Sequence, residues 1–378
     1  MYYLMSMQTR QYPFYLKSTI ILFGIILTVY ALSMLRSVLM PFSFALIISI
    51  LLNPLVNYFQ RKGVRKILAI ILSMLIAVLV LGGIMYFISF QVVGFSENFP
   101  ILKEKFYELL KQLQVWVQTK FDISIARQVE LINEALNSSK GLVGQTLGTA
   151  ITTIVIIFIL PVYVFLLLFY KTLILNFLYE SFAEENSKQV ADILRQTKAA
   201  IQSYMVGLLI EALIVATLNS TALLILGVKY AILLGLIGAL LNMLPYIGGI
   251  VAVALPILIA TVTKNGYSTQ LGIIIAYVII QFTDNNFLVP KIVSSKVQIN
   301  ALISILIVLL GGALWGVAGM FLSIPFVAIL KIICDRVEGL RAWGKLLGDE
   351  IPTKHKGLLW GQRKAKASLS EKIVEKTK

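Results

Sequence analysis

The sequence predicts an all-α polytopic membrane protein with about six full spans and two helical hairpins, eight to ten apolar helices in total. Of its 378 residues, 58% are hydrophobic and only 13% are charged. Several apolar runs approach 20 residues, the length that an α-helix needs to cross a bilayer. Other apolar segments are shorter and meet in pairs at Pro/Gly breaks, which is typical of hairpins inside a membrane. A soluble domain cannot hide this much apolar surface.

The net charge of +15 does not indicate a nucleic-acid partner, because the basic residues lie beside the apolar runs. There they set orientation and meet the headgroups of the lipid bilayer. Cys334 is the only cysteine and His355 the only histidine, so no disulfide, metal site or thiolate–histidine pair is predicted. There is no phosphate-binding loop of the ATPase type. We therefore expect that the protein binds no cofactor or metal and has no enzymatic activity.

Residues 1–92 form the first predicted unit, with three spans at 16–35, 42–59 and 67–90. The loop at 61–66 carries four basic residues and no acid. Such a loop is typical of the cytoplasmic side, which also places the N-terminus inside, because two spans precede it.

The next units alternate between the two sides of the membrane. Residues 93–145 have balanced charge and helical spacing of apolar residues, which predicts two amphipathic extracellular helices. Residues 146–200 hold the fourth span and a cytoplasmic linker, and 201–337 hold the predicted transport core. Residues 338–378 are a basic tail, which indicates a cytoplasmic C-terminus.

Glu211 and Asp284 are the only two acidic residues within apolar sequence, since the other 16 of 18 lie in polar segments. A carboxylate at membrane depth is costly and is a functional candidate for that reason. Glu211 is predicted to bind a proton or a cation, against the alternative of a hydrogen-bonded structural acid. Asp284, Asn285 and Asn286, with Gln281 before them, are predicted to offer oxygens to Na⁺ or a polar solute. The alternative is a simple helix-terminal turn ending at Pro290.

Two helical hairpins are predicted, at 230–262 and 301–333. Each hairpin and the helix before it form one unit, 201–262 and 271–333. We hypothesise that these two units are an inverted repeat, which would place the site near the bilayer midplane. Full double spans are the alternative, because a hairpin and a double span both return the chain to the side of the membrane from which it entered. The tip residues singled out by the Pro/Gly breaks are Pro245, Tyr246, Gly248, Gly249, Gly311, Gly312 and Trp315.

Three motifs resemble those of the PerM-like permeases, also called the autoinducer-2 exporter family. They are LPYIGG at 244–249, DNNFLVPK at 284–291 and GGALWGVAGMFLSIP at 311–325. The resemblance implies a multi-pass protein of the bacterial inner membrane, a homo-oligomer, and export of small molecules such as autoinducer-2. Some members of that family resemble Na⁺(Li⁺)/H⁺ antiporters.

The leading hypothesis is therefore a secondary exporter of a small polar solute, driven by H⁺ or Na⁺. A Na⁺(Li⁺)/H⁺ antiporter using the same two carboxylates is the second hypothesis. A non-transporting membrane scaffold that recruits partners through its extracellular helices is the third.

Overall fold

A computed structural model describes residues 13–138, 146–182, 187–243, 248–264, 266–293 and 299–349. Its α-helices are α1 Phe14–Met34, α2 Arg36–Arg61, α3 Lys66–Phe121, α4 Ile125–Ser138, α5 Thr146–Phe169, α6 Lys171–Glu180, α7 Ser187–Ile225, α8 Ala231–Asn242, α9 Gly248–Thr263, α10 Ser268–Thr283, α11 Ala301–Arg336 and α12 Arg341–Leu347. A π-helical turn, Asp284–Val293, continues α10, and a short 3₁₀ turn, Glu338–Leu340, precedes α12.

The helices confirm the predicted all-α polytopic class. Six helical segments in the described residues are long and apolar enough to cross a membrane, and a bent pair, α5 with α6, raises the number to seven. The two helices of that pair meet at 59°. Large apolar side chains along α1 and α3 are exposed, as expected where lipid replaces water as the solvent.

Three buried clusters join the helices in a chain. One holds α2 against α3 and α5 through Ala45, Ile70 and Val164. The next links α2, α7 and α11, and the last packs α7 against α8, α9 and α10. Because α7 takes part in two clusters, it connects the N-terminal helices to the hairpins.

The first hairpin consists of α8 and α9. A Cβ on Gly248, at the start of α9, would overlap the backbone of Leu241 near the end of α8, so the two helices meet closely at the tip. At 1.5 Å per residue the 12 residues of α8 span about 18 Å, well short of a hydrocarbon core of about 30 Å. Pro245 and Tyr246 lie outside the described residues.

The second hairpin is α11 folded back on itself. Its helical backbone is interrupted at Trp315 and Gly316, and Gly316 has a φ of +63°, which favours glycine. Ser323 Oγ donates to the carbonyl of Ile307 at 3.1 Å, although 16 residues separate them, so the two arms run antiparallel. At the open end, Asn300 donates through its side chain to the carbonyls of Leu346 and Gly348.

Four boundaries differ from the sequence-based expectation. The helix of the third span continues without a break to Phe121, although its apolar part ends at Ser96, close to the predicted end of the span. The fifth span likewise continues the cytoplasmic linker, since α7 begins at Ser187. Gly311 and Gly312 lie in the first arm of α11 and not at its tip. The helical backbone does not end at Pro290, because the π-helical turn includes this residue and continues to Val293.

The folded-back α11 predicts a stability difference between two Gly→Ala variants. A Cβ on Gly311 would collide with Ser323 Oγ and lie 2.6 Å from the carbonyl oxygen of Gly319. Overpacking costs about 1–3 kcal/mol, so we expect Gly311→Ala to lower the melting temperature by roughly 2–10 °C. Gly24→Ala is the matched control, since nothing lies within 4 Å of its Cβ. Equal melting temperatures of the two purified variants would contradict the hairpin.

Candidate functional site

Glu211 and Asp284 lie together in the interior, although 73 positions separate them in the sequence. Glu211, in α7, is 5% exposed, and Asp284, where α10 passes into the π-helical turn, is 2% exposed. The side-chain amide of Asn242, the last residue of α8, lies between them. It donates to Asp284 Oδ2 at 2.9 Å and makes a longer contact of 3.5 Å with Glu211 Oε1.

Local backbone geometry brings these three side chains to one place. Gly207 in α7 lets the π-helical turn approach, because a Cβ there would overlap the carbonyl oxygen of Ile292. Glu211 lies one helical turn further along α7, opposite the start of the same π-helical turn. The end of α8 then supplies Asn242 from the tip of the first hairpin, which stops at the depth of the two carboxyl groups.

A small cavity between α7, α8, α9 and α10 adjoins the carboxyl group of Asp284. Its lining comprises Val215, Asn219, Gly238, Asn242, Ala252, Tyr277, Ile280, Gln281 and Asp284. The space open to the centre of a water molecule is about 10 Å³, which is what one buried water or a bare ion of similar size requires. The cavity is too small for an organic solute.

The charges of the site are unbalanced. None of the ion pairs among the described residues includes Glu211 or Asp284, and both carboxyl groups lie within 3.5 Å of the same amide nitrogen of Asn242. Two like charges at this separation cannot both persist in a buried site without a compensating cation. Chemically, the arrangement suits a shared proton or a bound cation.

The predicted site residues divide into two groups. Glu211, Asp284 and Gln281 converge, with Gln281 lining the cavity. Asn285 is exposed and reaches the site only through Gln281, whose Nε2 donates to its Oδ1 at 3.4 Å. Asn286 is exposed and donates to the carbonyl of Phe282 in its own helix, so it contributes no oxygen to the cavity.

The tip residues also differ in where they lie. A Cβ on Gly249 would be 3.0 Å from Gln281 Oε1, so the start of α9 borders the site. Trp315 packs against the cluster that contains Leu208, one turn before Glu211, and its Nε1 donates to the carbonyl of Leu32 in α1 at 3.0 Å. Gly311 and Gly312 contact the second arm of α11 and not the site.

Asn242, Asn219, Tyr277 and Gly238 are site residues that sequence reasoning did not select. Asn219 follows Glu211 by eight residues, a spacing that puts both on one face of α7. Asn242 is a polar residue at the end of an apolar helix, next to the Pro/Gly break. The sequence therefore contained a signal for Asn219 and for Asn242. Nothing in the sequence indicates that Tyr277 and Gly238 would line the same cavity as these two residues.

Comparison with known proteins gives one family. A family model described as "AI-2E family transporter" matches residues 19–339. The putative transport protein YrrI of Bacillus subtilis is 25% identical over 334 residues, 82% of this chain and 92% of that protein. The AI-2 transport protein TqsA of Escherichia coli is 25% identical over 339 residues, 88% of this chain and 96% of that protein.

The bridging amide predicts an energetic coupling between Asn242 and Asp284. Asn242→Ala leaves a buried carboxylate oxygen without its donor, which costs about 1–3 kcal/mol. In an Asp284→Asn background the same substitution should cost less, with a coupling energy of about 0.5–3 kcal/mol. The free energies of unfolding of the wild type, the two single variants and the double variant, measured in mixed micelles, give both the cost of Asn242→Ala and the coupling energy.

Asn286→Ala is the matched control for this double-mutant cycle of Asn242 and Asp284. Among the contacts described, the exposed Asn286 side chain bonds only to its own helix. We expect it to change stability by no more than about 0.5 kcal/mol. Additive effects of Asn242→Ala and Asp284→Asn would contradict the bridge.

Proposed function

The chain belongs to the AI-2E family of transporters, and on this premise we propose that it is a secondary exporter of a small polar solute, coupled to H⁺ or Na⁺. The observation that carries the proposal is the buried pair of carboxyl groups, Glu211 and Asp284, bridged by Asn242. Such a pair is stabilised when it takes up a cation and destabilised when the cation leaves. This dependence on the cation is what couples ion binding to a change in the protein's conformation.

In the proposed cycle, Glu211 carries the proton or ion and Asp284 holds the partner charge. Gln281, at the edge of the cavity, contacts the solute, and Asn285 extends this polar edge outward. The tip of the first hairpin moves with the ion state, because Asn242 contacts both carboxyl groups. Alternating access then follows from the two hairpins closing the site on one side or the other.

The name of one relative, an AI-2 transport protein, supports a signal of that kind, or a related metabolite, as the exported solute. The exposed Asn285 and Asn286 support a homo-oligomer, because amide groups at membrane depth favour water or another protein over lipid. The basic loop at 61–66 supports cytoplasmic termini in a bacterial inner membrane.

A Na⁺(Li⁺)/H⁺ antiporter is the second candidate, and the size of the cavity favours it. Room for about one water molecule suits a bare ion, whereas an organic solute would need the hairpins to part. In this reading the same two carboxyl groups bind H⁺ and Na⁺ in alternation, with no organic substrate.

Ion-driven flux in proteoliposomes tests the proposal. We expect Glu211→Gln and Asp284→Asn to reduce coupled flux at least about 100-fold, because each removes the charge that binds the ion. Glu338→Gln is the matched control, since its side chain is 90% exposed and lies in the turn before α12. It should transport like the wild type.

The outcomes separate the candidates. Solute efflux that requires an ion gradient supports the exporter, and Na⁺-driven proton flux without solute supports the antiporter. If neither flux appears, or if Glu211→Gln transports normally, the proposed function is wrong and a scaffold role is favoured.

A further inference from the structure

Three residues that line the cavity have a buried side-chain oxygen with no hydrogen-bond partner among the described residues. They are Asn219, Tyr277 and Asp284, which are 2%, 4% and 2% exposed. Buried polar atoms are almost always partnered, so three such atoms around one cavity call for a common explanation. All three lie on different helical elements, α7, α10 and the start of the π-helical turn.

The chemistry of these atoms is that of ligands for a hard cation. Asn219 Oδ1 and Asp284 Oδ1 are acceptors, and a tyrosine hydroxyl oxygen can accept as well. Oxygen atoms at close range replace the hydration shell of a hard metal ion. Gln281 lines the same cavity and can contribute a further amide oxygen.

The charge of the site selects the valence of the ion. Asp284 is the one acidic side chain among the residues that line the cavity. The other lining groups are neutral amides, a phenol and apolar side chains. One negative charge surrounded by neutral oxygens matches a monovalent cation.

Gly238 leaves the space that the ion would occupy. A Cβ on Gly238 would lie 3.3 Å from Asn219 Nδ2, 3.4 Å from Ala252 Cβ and 3.7 Å from the Tyr277 hydroxyl oxygen. A methyl group at that position would therefore reduce the cavity. The available volume of about 10 Å³ suits a bare Na⁺.

We propose that the cavity between Asn219, Gly238, Tyr277 and Asp284 is a binding site for a dehydrated Na⁺, next to the Glu211 carboxyl group. Glu211 does not line this cavity, so the Na⁺ and the proton or ion proposed for Glu211 occupy different positions. The inference rests on the proposed function for its role in coupling. Its test measures binding and not transport.

The experiment titrates the purified full-length chain in lipid nanodiscs with NaCl, with choline chloride keeping the ionic strength constant. Thermal unfolding reports binding, because a ligand that binds the folded state raises the melting temperature. We expect a saturable rise with Na⁺ that choline does not reproduce. Tyr277→Phe and Gly238→Ala should each raise the half-saturating Na⁺ concentration at least about tenfold.

Two matched variants serve as controls. Tyr267→Phe removes a hydroxyl from a tyrosine that is 84% exposed, and Gly82→Ala adds a methyl group where nothing lies within 4 Å. Both should titrate like the wild type. Tyr277→Phe removes one oxygen atom at nearly constant shape, so it remains informative even if Gly238→Ala folds poorly.

The outcomes distinguish this inference from the proposed function. A wild-type chain that gives no Na⁺-specific shift overturns the inference and indicates a buried water, whereas proton-driven flux through Glu211 would still support the function. Unchanged half-saturation in both Tyr277→Phe and Gly238→Ala also overturns it. Na⁺ binding without any flux in proteoliposomes would support the site and refute the transporter.

Discussion

The structure depends on one unfavourable arrangement, two buried carboxyl groups that share a single amide. Glu211 and Asp284 lie in an apolar interior, and the described residues provide no basic side chain in an ion pair with either. Asn242 stabilises them with one good hydrogen bond and one long contact. Because this is too little to hold two full charges, we propose that a proton or another cation is held at the pair.

The hairpins and the π-helical turn explain how the chain builds this arrangement. The short α8 ends at Asn242, which contacts both Glu211 and Asp284. The π-helical turn starts at Asp284, and π-helical segments occur frequently at functional sites. Trp315, at the second break, packs against the same cluster as Leu208, one turn before Glu211. The second break therefore packs against the segment of α7 that precedes Glu211.

Much of this could be predicted from the sequence, because the relevant signals are local. Apolar length and Pro/Gly breaks predicted the all-α class and the hairpins, and the isolation of two acids predicted Glu211 and Asp284. The partners were harder to predict, since Tyr277 and Gly238 are ordinary residues of apolar helices until packing brings them together. Composition also does not reveal the direction of a side chain, and Asn286, which is exposed and bonds to its own helix, stays a prediction as a site residue. The inverted repeat of 201–262 and 271–333 stays a prediction.

The most direct test of the central claim is the protonation state of the pair itself. Infrared difference spectroscopy of the full-length chain in sodium-free buffer at neutral pH detects protonated carboxyl groups in an apolar environment. A proton shared by the pair predicts one such band in the wild type that is absent when Glu211→Gln and Asp284→Asn are combined, because two ionised groups cannot coexist there without a cation. A wild-type spectrum without this band, with both carboxyl groups ionised, would show that the pair holds no proton.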